Sequence, residues 1–354
     1  MKKKICILFG GESTEYEISL RSAYSVITNI DKNLYDIITV GITKDGKWYL
    51  FDGDYSDIPT DSWYSPSLLP VNILHGSKES AFIIPKDDGT YEKLSFDVVF
   101  PVLHGKNGED GTIQGLFELS SIKYAGVGVI ASSVGMDKTF TKIIFKNAGI
   151  NQADWVEIKK HEYPTIDSKI EEIETKLGYP VFIKPANAGS SIGIGKAKNR
   201  DELIEAIDEA FKFDRKILVE ELLTGHEVEC AVLGNRGNVR ASRVGEIIAS
   251  QEFYTYDAKY SSDSTSETHI PANIDDKYSK IVRENAIKAF EALDGKGLSR
   301  VDFFVDEEKD CVWINEINTL PGFTSISMYP KLFIDSGMTY AELINEIIEI
   351  ALED

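Results

Sequence analysis

The chain has 354 residues, 58 of them Asp or Glu against 38 Lys or Arg, giving a formal net charge of −20. That excess of acid argues against nucleic acid or an anionic membrane surface as partner, and it makes binding of any phosphate compound depend on local lysines, arginines and metal. With 42% hydrophobic residues and no apolar run near the ~20 residues that span a bilayer, the composition is that of a globular protein of two or three domains.

The first apolar run, Ile-Cys-Ile-Leu-Phe at residues 5–9, is too short for a signal peptide and ends at Gly10-Gly11. It reads as a buried strand entering a turn. Leu20, Ala23, Tyr24 and Ile27 then have helical spacing, and residues 35–43 read as a second strand. This β-α-β opening predicts a parallel sheet. Residues 52–90 are polar and poorly periodic, and are expected to be irregular with short strands. Residues 96–103 form a further buried strand that runs into His104-Gly105-Lys106-Asn107-Gly108-Glu109-Asp110-Gly111. A helix is expected over 136–150, ended by Gly149. Residues 177–199 read as strand, Gly/Ser loop and strand, and 201–213 as an amphipathic helix with Asp201 near its start. Two strands around a turn at Thr224-Gly225 fill 217–234. A long polar loop (about 250–270), a helix over 279–293, a hairpin and a terminal helix from Tyr340 complete the chain. Cys6, Cys230 and Cys311 lie in strand-like runs without CxxC spacing, as expected of buried free thiols in a reducing cytosol.

The hairpin at 298–323 carries the most chemistry. Two apolar strands flank an acidic five-residue connection, Asp306 to Asp310. Alternation puts Glu316 and Asn318 on one face, and an antiparallel register sets Asp302 opposite them, within ~5–8 Å of Glu316. Two carboxylates and an amide oxygen suit Mg²⁺. Arg300 is expected on the opposite face or at the strand end, where it meets a phosphate. A solvated edge hairpin accounts for the same residues, and both readings stay open. Lys184, before the loop Pro185–Gly193, suits phosphate binding as well as a plain turn. Lys138 offers a second cation or a solvated charge. Glu220, Glu221 and Glu227 suit ribose hydroxyls or a strand rim, and the backbone from Glu221 to Leu223 suits an adenine edge. The aromatic loop Phe253–Tyr260 suits a lid or a packed surface loop. Glu15, beyond the first strand, suits a substrate ammonium group or a helix start, and His104 a structural or a catalytic role.

Taken in order, FGGESTEYEIS, HGKNGEDGTIQG, MDK, FIKPANAGSSIGI, VEELLTGHEVE, YDAKY, SRVDFFV and NEINTLPGFT resemble the D-alanine–D-alanine ligases of the ATP-grasp superfamily over nearly the whole chain. The resemblance implies an α/β, three-domain ATP-grasp architecture. An N-terminal parallel-sheet domain (1–128) would precede two α+β ATP-grasp domains (129–222 and 223–354). It implies a cytoplasmic enzyme, commonly a homodimer, that uses ATP to join two D-alanines through an acyl phosphate. It places Glu15 at the first substrate's ammonium group and links it to Ser190 and Tyr260. Lys138, Lys184 and Lys259 would bind phosphates. Asp302, Glu316 and Asn318 would hold two Mg²⁺ ions, or Mn²⁺ in their place. Arg300 and the N–H of Gly322 would stabilise an oxyanion. Glu220, Glu221, Leu223, Glu227, Phe253 and Phe304 would surround the nucleoside, and His104, Ser327 and Met328 the amino-acid substrates.

The chain departs from many relatives in having Glu220-Glu221 where they have Glu-Lys, and in its loop residues Ala186-Asn187-Ala188. Tyr260 fits an amine nucleophile rather than a D-lactate hydroxyl. Similarity extends to the D-alanyl-D-serine ligases of glycopeptide resistance, but Met328 stands where some of those have an Arg that reads the serine hydroxyl. An apolar side chain there favours D-alanine over D-serine as second substrate. A catalytically silent nucleotide-binding regulator on the same fold is the alternative from another class.

Overall fold

A computed structural model gives the fold and describes residues 2–74, 76, 79–189, 192–235, 237–248 and 267–353. Strand β1 (Lys3–Gly10) is buried over its apolar length. Helix α1 (Tyr16–Asn29) buries Ile18, Leu20, Ala23, Val26 and Ile27, and β2 (Tyr35–Ile42) returns parallel to β1. The turn at Gly46 is too short for a crossover, so β3 (Trp48–Phe51) runs antiparallel to β2, with β4 (Leu69–Pro70) beyond it. Strands β5 (Asn72–Ile73), β6 (Ala81–Pro85) and β7 (Tyr91–Ser95) form a small antiparallel sheet, and β8 (Val98–Val102) rejoins β1 in parallel. The expected parallel sheet thus has a parallel centre, β2-β1-β8, and an antiparallel edge. The short strands expected within 52–90 are present as β4, β5 and β6.

Helices α2 (Thr112–Leu119), α3 (Val129–Met136) and α4 (Lys138–Asn147) follow. The single helix expected over 136–150 begins at Lys138, because Asp137 accepts the N–H groups of Thr139 (3.1 Å) and Phe140 (3.3 Å) and so caps α4. Next come β9 (Trp155–Lys159), α5 (Ile166–Lys176), β10 (Val181–Pro185), β11 (Gly195–Ala197), α6 (Arg200–Ala210) and β12 (Lys216–Glu221). The strands form an antiparallel sheet in the order β11-β10-β12-β9. Ile170, Ile173, Leu203 and Ile207 of α5 and α6 share a core with this sheet. Asn199 caps α6 by accepting the N–H of Glu202 at 3.0 Å, and Asp201 lies in its first turn as expected.

The third large sheet takes the order β15-β14-β13-β16-β17. It is built from β13 (His226–Asn235), β14 (Asn238–Ile248), β15 (Glu267–His269), β16 (Gly297–Asp306) and β17 (Cys311–Asn318), with α7 (Asp276–Ala292) packed on it. The two strands expected within 217–234 are both present but serve different sheets. Gly225 makes the passage at φ +121°, and a Cβ there would lie 2.2 Å from the Val305 carbonyl oxygen. Asp306 pairs with Cys311, so the β16–β17 connection has four residues rather than five. Helices α8 (Met328–Asp335) and α9 (Tyr340–Leu352) end the fold. Leu343, Ile344, Ile347 and Ile348 of α9 enter the same core as Ile5, Ile7 and Phe9 of β1. The Tyr35 hydroxyl donates to Glu349 across that junction at 3.1 Å. This shared core brackets a cleft among the three large sheets.

Cys6 and Cys230 are buried as expected, while Cys311 is half-buried at the start of β17; all three are free thiols. Among the described residues no helix is long and apolar enough to cross a membrane. Gly225→Ala would force a non-glycine residue into a left-handed conformation against backbone. It is expected to cost roughly 2–3 kcal/mol, read as a lowered thermal midpoint.

Candidate active site

Strand alternation composes one wall of the cleft. Along β13, Glu227 and Glu229 share a face; along β16, Arg300, Asp302 and Phe304; along β17, Glu316 and Asn318. The register sets Glu229 beside Asp302 and Glu227 beside Phe304. It also sets Asp302 opposite Glu316 and Arg300 opposite Asn318. A bulge between Asp302 and Phe303 then adds a residue to β17, and Asn315 as well as Glu316 lines the cleft. The pairing expected of Asp302 with Glu316 is therefore present in a buried setting, and the solvated edge hairpin is set aside: Asp302 is only 4% exposed.

Arg300 requires a correction. Positions 300 and 302 lie on the same face, not opposite ones, and the guanidinium grips Asp302 from Nε and Nη2, both at 2.7 Å. Its Nε also stands 3.1 Å from Glu229 Oε2. The Asn318 amide donates to Asp302 Oδ2 at 3.1 Å. The oxygens of Asp302, Glu316 and Asn318 on paired strands are a hard donor set that fits a divalent cation. The set contains two carboxylates and an amide; a cluster of three or more His, Cys, Asp or Glu with metal-binding placement does not occur among the described residues.

The lysines come from the other side of the cleft. Lys138 opens α4, donates to the Ala188 carbonyl at 2.8 Å and lies 4.0 Å from Glu316. Lys184 on β10 contacts Glu220 Oε2 at 2.6 Å and Asn315 Oδ1 at 3.3 Å. The other oxygen of Glu220 contacts Lys142 at 2.6 Å. Burial alone would push the Glu220 carboxyl up, but the two ammonium groups outweigh it and bring the group down to about 2. Both oxygens of Glu220 are thus engaged by lysines, which corrects the expectation that they face ribose. Glu221 accepts the Asp154 N–H at 2.8 Å. Leu223, Glu227 and Phe304 line the cleft with it.

The third side is N-terminal. Glu15 stands at the N-terminus of α1 but does not cap it. Its carboxylate lies against loop backbone instead: a Cβ on Gly105 would come within 2.3 Å of Oε2, and one on Gly189 within 3.1 Å. Glycine at both positions lets the His104 loop and the Gly/Ser loop close on this carboxylate. Burial and then the neighbouring Glu15 push the Glu109 carboxyl up to about 8. His104 is fully engaged by the protein. Nδ1 lies 3.0 Å from the Leu320 carbonyl, which can only accept, so Nδ1 carries the proton. Nε2 then accepts from the Ser22 hydroxyl at 3.2 Å, whose oxygen accepts the Phe323 N–H at 3.1 Å. This chain of bonds fixes the loop bearing Gly322. Ser327 accepts the Thr324 N–H at 3.0 Å and would stand 2.8 Å from a Cβ at Gly322. Met328 is largely buried, packs its methyl group on Gly245 and contributes to the cleft lining.

The cleft, of about 590 Å³, thus gathers Glu15, His104, Lys138, Lys184, Glu220, Glu221, Leu223, Glu227, Arg300, Asp302, Phe304, Glu316, Asn318, Gly322, Ser327 and Met328. Ser190, Phe253, Lys259 and Tyr260 lie outside the described residues. Sequence reasoning overlooked Lys142, Glu109 and Glu229. Lys142 is one helical turn after Lys138, and Glu229 is one strand period after Glu227, so periodicity carried both signals.

Three large sheets around one polar cleft, with lysines facing a paired-carboxylate hairpin, define an ATP-grasp protein. The model described as "D-ala D-ala ligase N-terminus" matches residues 4–127, and "D-ala D-ala ligase C-terminus" matches 144–349. The chain belongs to the D-alanine–D-alanine ligase family. It is 50% identical to the D-alanine–D-alanine ligase of Acetivibrio thermocellus over 99% of this chain and 96% of that one. The solved structure of the VanG D-Ala:D-Ser ligase from Enterococcus faecalis superposes with a TM-score of 0.90 at 40% identity, covering 99% of this chain and 100% of that one. That of the D-alanine–D-alanine ligase from Coxiella burnetii gives 0.84 at 34% identity, over 99% and 94%.

His104 supplies a pH test of this packing. Burial lowers it from 6.5 to about 4, so between these values the unfolded chain binds a proton that the folded chain does not. Its contribution to stability is present above pH ~6.5 and is lost as pH falls toward 4, by roughly 3 kcal/mol. Urea unfolding at pH 7 and 4.5 should show a shallower acid loss in His104→Gln than in the parent.

Proposed function

We propose that this chain is an ATP-dependent D-alanine–D-alanine ligase of cell-wall precursor synthesis. The observation that carries the reading is the meeting, in one cleft, of the Asp302–Glu316 face, Lys138 and Lys184, and the Glu15 carboxylate. Glu15 holds the ammonium group of the first D-alanine, with Ser190 and Tyr260 closing that side. Lys138 and Lys184 bind ATP phosphates and Lys259 the γ-phosphate. A carboxylate oxygen of D-alanine attacks the γ-phosphorus, ADP leaves, and an acyl phosphate forms. The amine of the second D-alanine attacks the acyl carbon and loses a proton. Phosphate departs with the former carboxylate oxygen, leaving the peptide bond.

Arg300 and the Gly322 N–H stabilise the oxyanion of the second step. A guanidinium has five N–H donors, so pairing with Asp302 and Glu229 is compatible with that role. His104, Ser327 and the Gly322 loop shape the amino-acid end. Glu221, Leu223, Glu227, Phe253 and Phe304 enclose the nucleoside, while Glu220 positions the lysines. Asp302, Glu316 and Asn318 would hold two Mg²⁺ ions, with Mn²⁺ as substitute. Bound there, the metal would neutralise phosphate charge that opposes attack by a carboxylate. Units of 1–128, 129–222 and 223–354, a homodimer and a cytoplasmic setting belong to the same reading.

Phosphate release is expected only with ATP, Mg²⁺ and D-alanine together, and Glu316→Gln should lower it by about 100-fold or more. Release that needs no D-amino acid would contradict the reading. The likeness to VanG favours a second reading with D-serine as nucleophile. Met328 offers no polar group to a serine hydroxyl, and an apolar pocket discriminates by only about 10–200-fold. With equimolar D-alanine and D-serine, mass spectrometry should find D-alanyl-D-alanine as the main product; a D-alanyl-D-serine majority would reverse this choice.

A further inference from the structure

Beneath the nucleotide end of the cleft, Lys142, Glu220 and Lys184 form a buried row of alternating charge. Lys142 Nζ meets Glu220 Oε1 at 2.6 Å and Lys184 Nζ meets Oε2 at 2.6 Å. The Lys142 and Glu220 side chains are 5% and 6% exposed, and that of Lys184 is 16% exposed. The row joins three elements: α4 supplies Lys142, one turn beyond Lys138, while β10 supplies Lys184 and β12 supplies Glu220. Lys142 also donates to the Ala153 carbonyl at 3.2 Å, and its own carbonyl accepts from the Gln152 amide at 2.8 Å. Lys142 is thus anchored in depth, whereas Lys184 is the member most open to the cleft.

We propose that Lys142 is a positioning residue of the nucleotide site: by balancing Glu220, it leaves the charge of Lys184 effective toward phosphate. Glu220 and Lys184 alone make a neutral pair, and the lone lysine would be held by its own counter-ion. With Lys142 present the row carries a net single positive charge, weighted toward the cleft because Lys184 is the more exposed of the two lysines. In a low-dielectric floor a unit change of charge is weakly screened. The carboxylate also fixes the Lys184 ammonium in direction, since its second oxygen is pinned from below.

This inference rests on the nucleotide reading given above, and titration calorimetry of full-length protein separates the two. ATP, ADP and adenosine are titrated with Mg²⁺ present. K142M makes the row neutral and should weaken ATP and ADP by about 10–100-fold while changing adenosine less than about threefold. The double variant K142M/E220Q restores a single positive charge through Lys184, whose ammonium can still donate to the Gln carbonyl oxygen, and should return ATP affinity to within about threefold of the parent. K142R, which keeps the charge, should stay close to the parent. Unchanged ATP affinity in K142M, or a double variant as weak as K142M, would overturn the proposal. If K142M does not fold, the double variant decides: near-parental ATP affinity supports the proposal and a tenfold loss overturns it. A parent protein that binds no ATP would instead contradict the nucleotide reading itself.

Discussion

The structure turns on the antiparallel register that sets Asp302 opposite Glu316 and Arg300 opposite Asn318. It concentrates acid where a polyanion is to bind. Among the described residues, eight carboxyl groups and four basic side chains line the cleft, in a chain already at −20. Unpaired, such charges would repel one another and any nucleotide. Each of the four basic groups meets a carboxylate: Lys138 at Glu316, Lys142 and Lys184 at Glu220, Arg300 at Asp302. Burial and the neighbouring Glu15 push the Glu109 carboxyl up to about 8, which disfavours its charged form. The other carboxylates come from the N-terminal side, β12 and β13, while the oxygen donors of the hairpin face suit a divalent cation.

That arrangement explains the use of strands for the polar site. Alternation along β13, β16 and β17 delivers a charged face while the opposite face of the same strands supplies Val301, Phe303, Val305 and Ile314 to the core. The charged groups therefore stand on backbone that packing has already immobilised, which limits their freedom to relax away from a ligand. The N-terminal groups are fixed differently, through loops. Glu15 is enclosed by glycines, and the Leu320–His104–Ser22–Phe323 chain ties the Gly322 loop to α1. The core shared by β1 and α9 makes these two kinds of anchoring parts of one body.

Much of this was legible in the sequence. Alternation placed Glu316 and Asn318 together, helix periodicity located α1, α6, α7 and α9, and the ordered motifs pointed to the family. The failures have physical causes. Treating Arg300 as opposite to Asp302 missed the two-residue strand period. Glu220 read as a nucleotide ligand because its lysine partners are 36 and 78 residues distant in sequence, Lys184 on another strand and Lys142 on a helix. The helix expected from 136 begins two residues later, at Lys138, because the Asp137 cap depends on a side-chain bond that periodicity does not register. Short strands were expected within 52–90, but their pairing into the small sheet of β5, β6 and β7 was not, because β5 and β7 carry few apolar residues beside the apolar β6.

The central claim is that the cleft transfers the γ-phosphoryl group of ATP to a D-alanine carboxylate before the peptide bond forms. The most direct measurement uses D-alanine labelled with ¹⁸O in its carboxylate, with mass analysis of the inorganic phosphate released. Formation and collapse of an acyl phosphate carries one ¹⁸O into phosphate for each dipeptide made. Dipeptide formation with unlabelled phosphate would contradict the account.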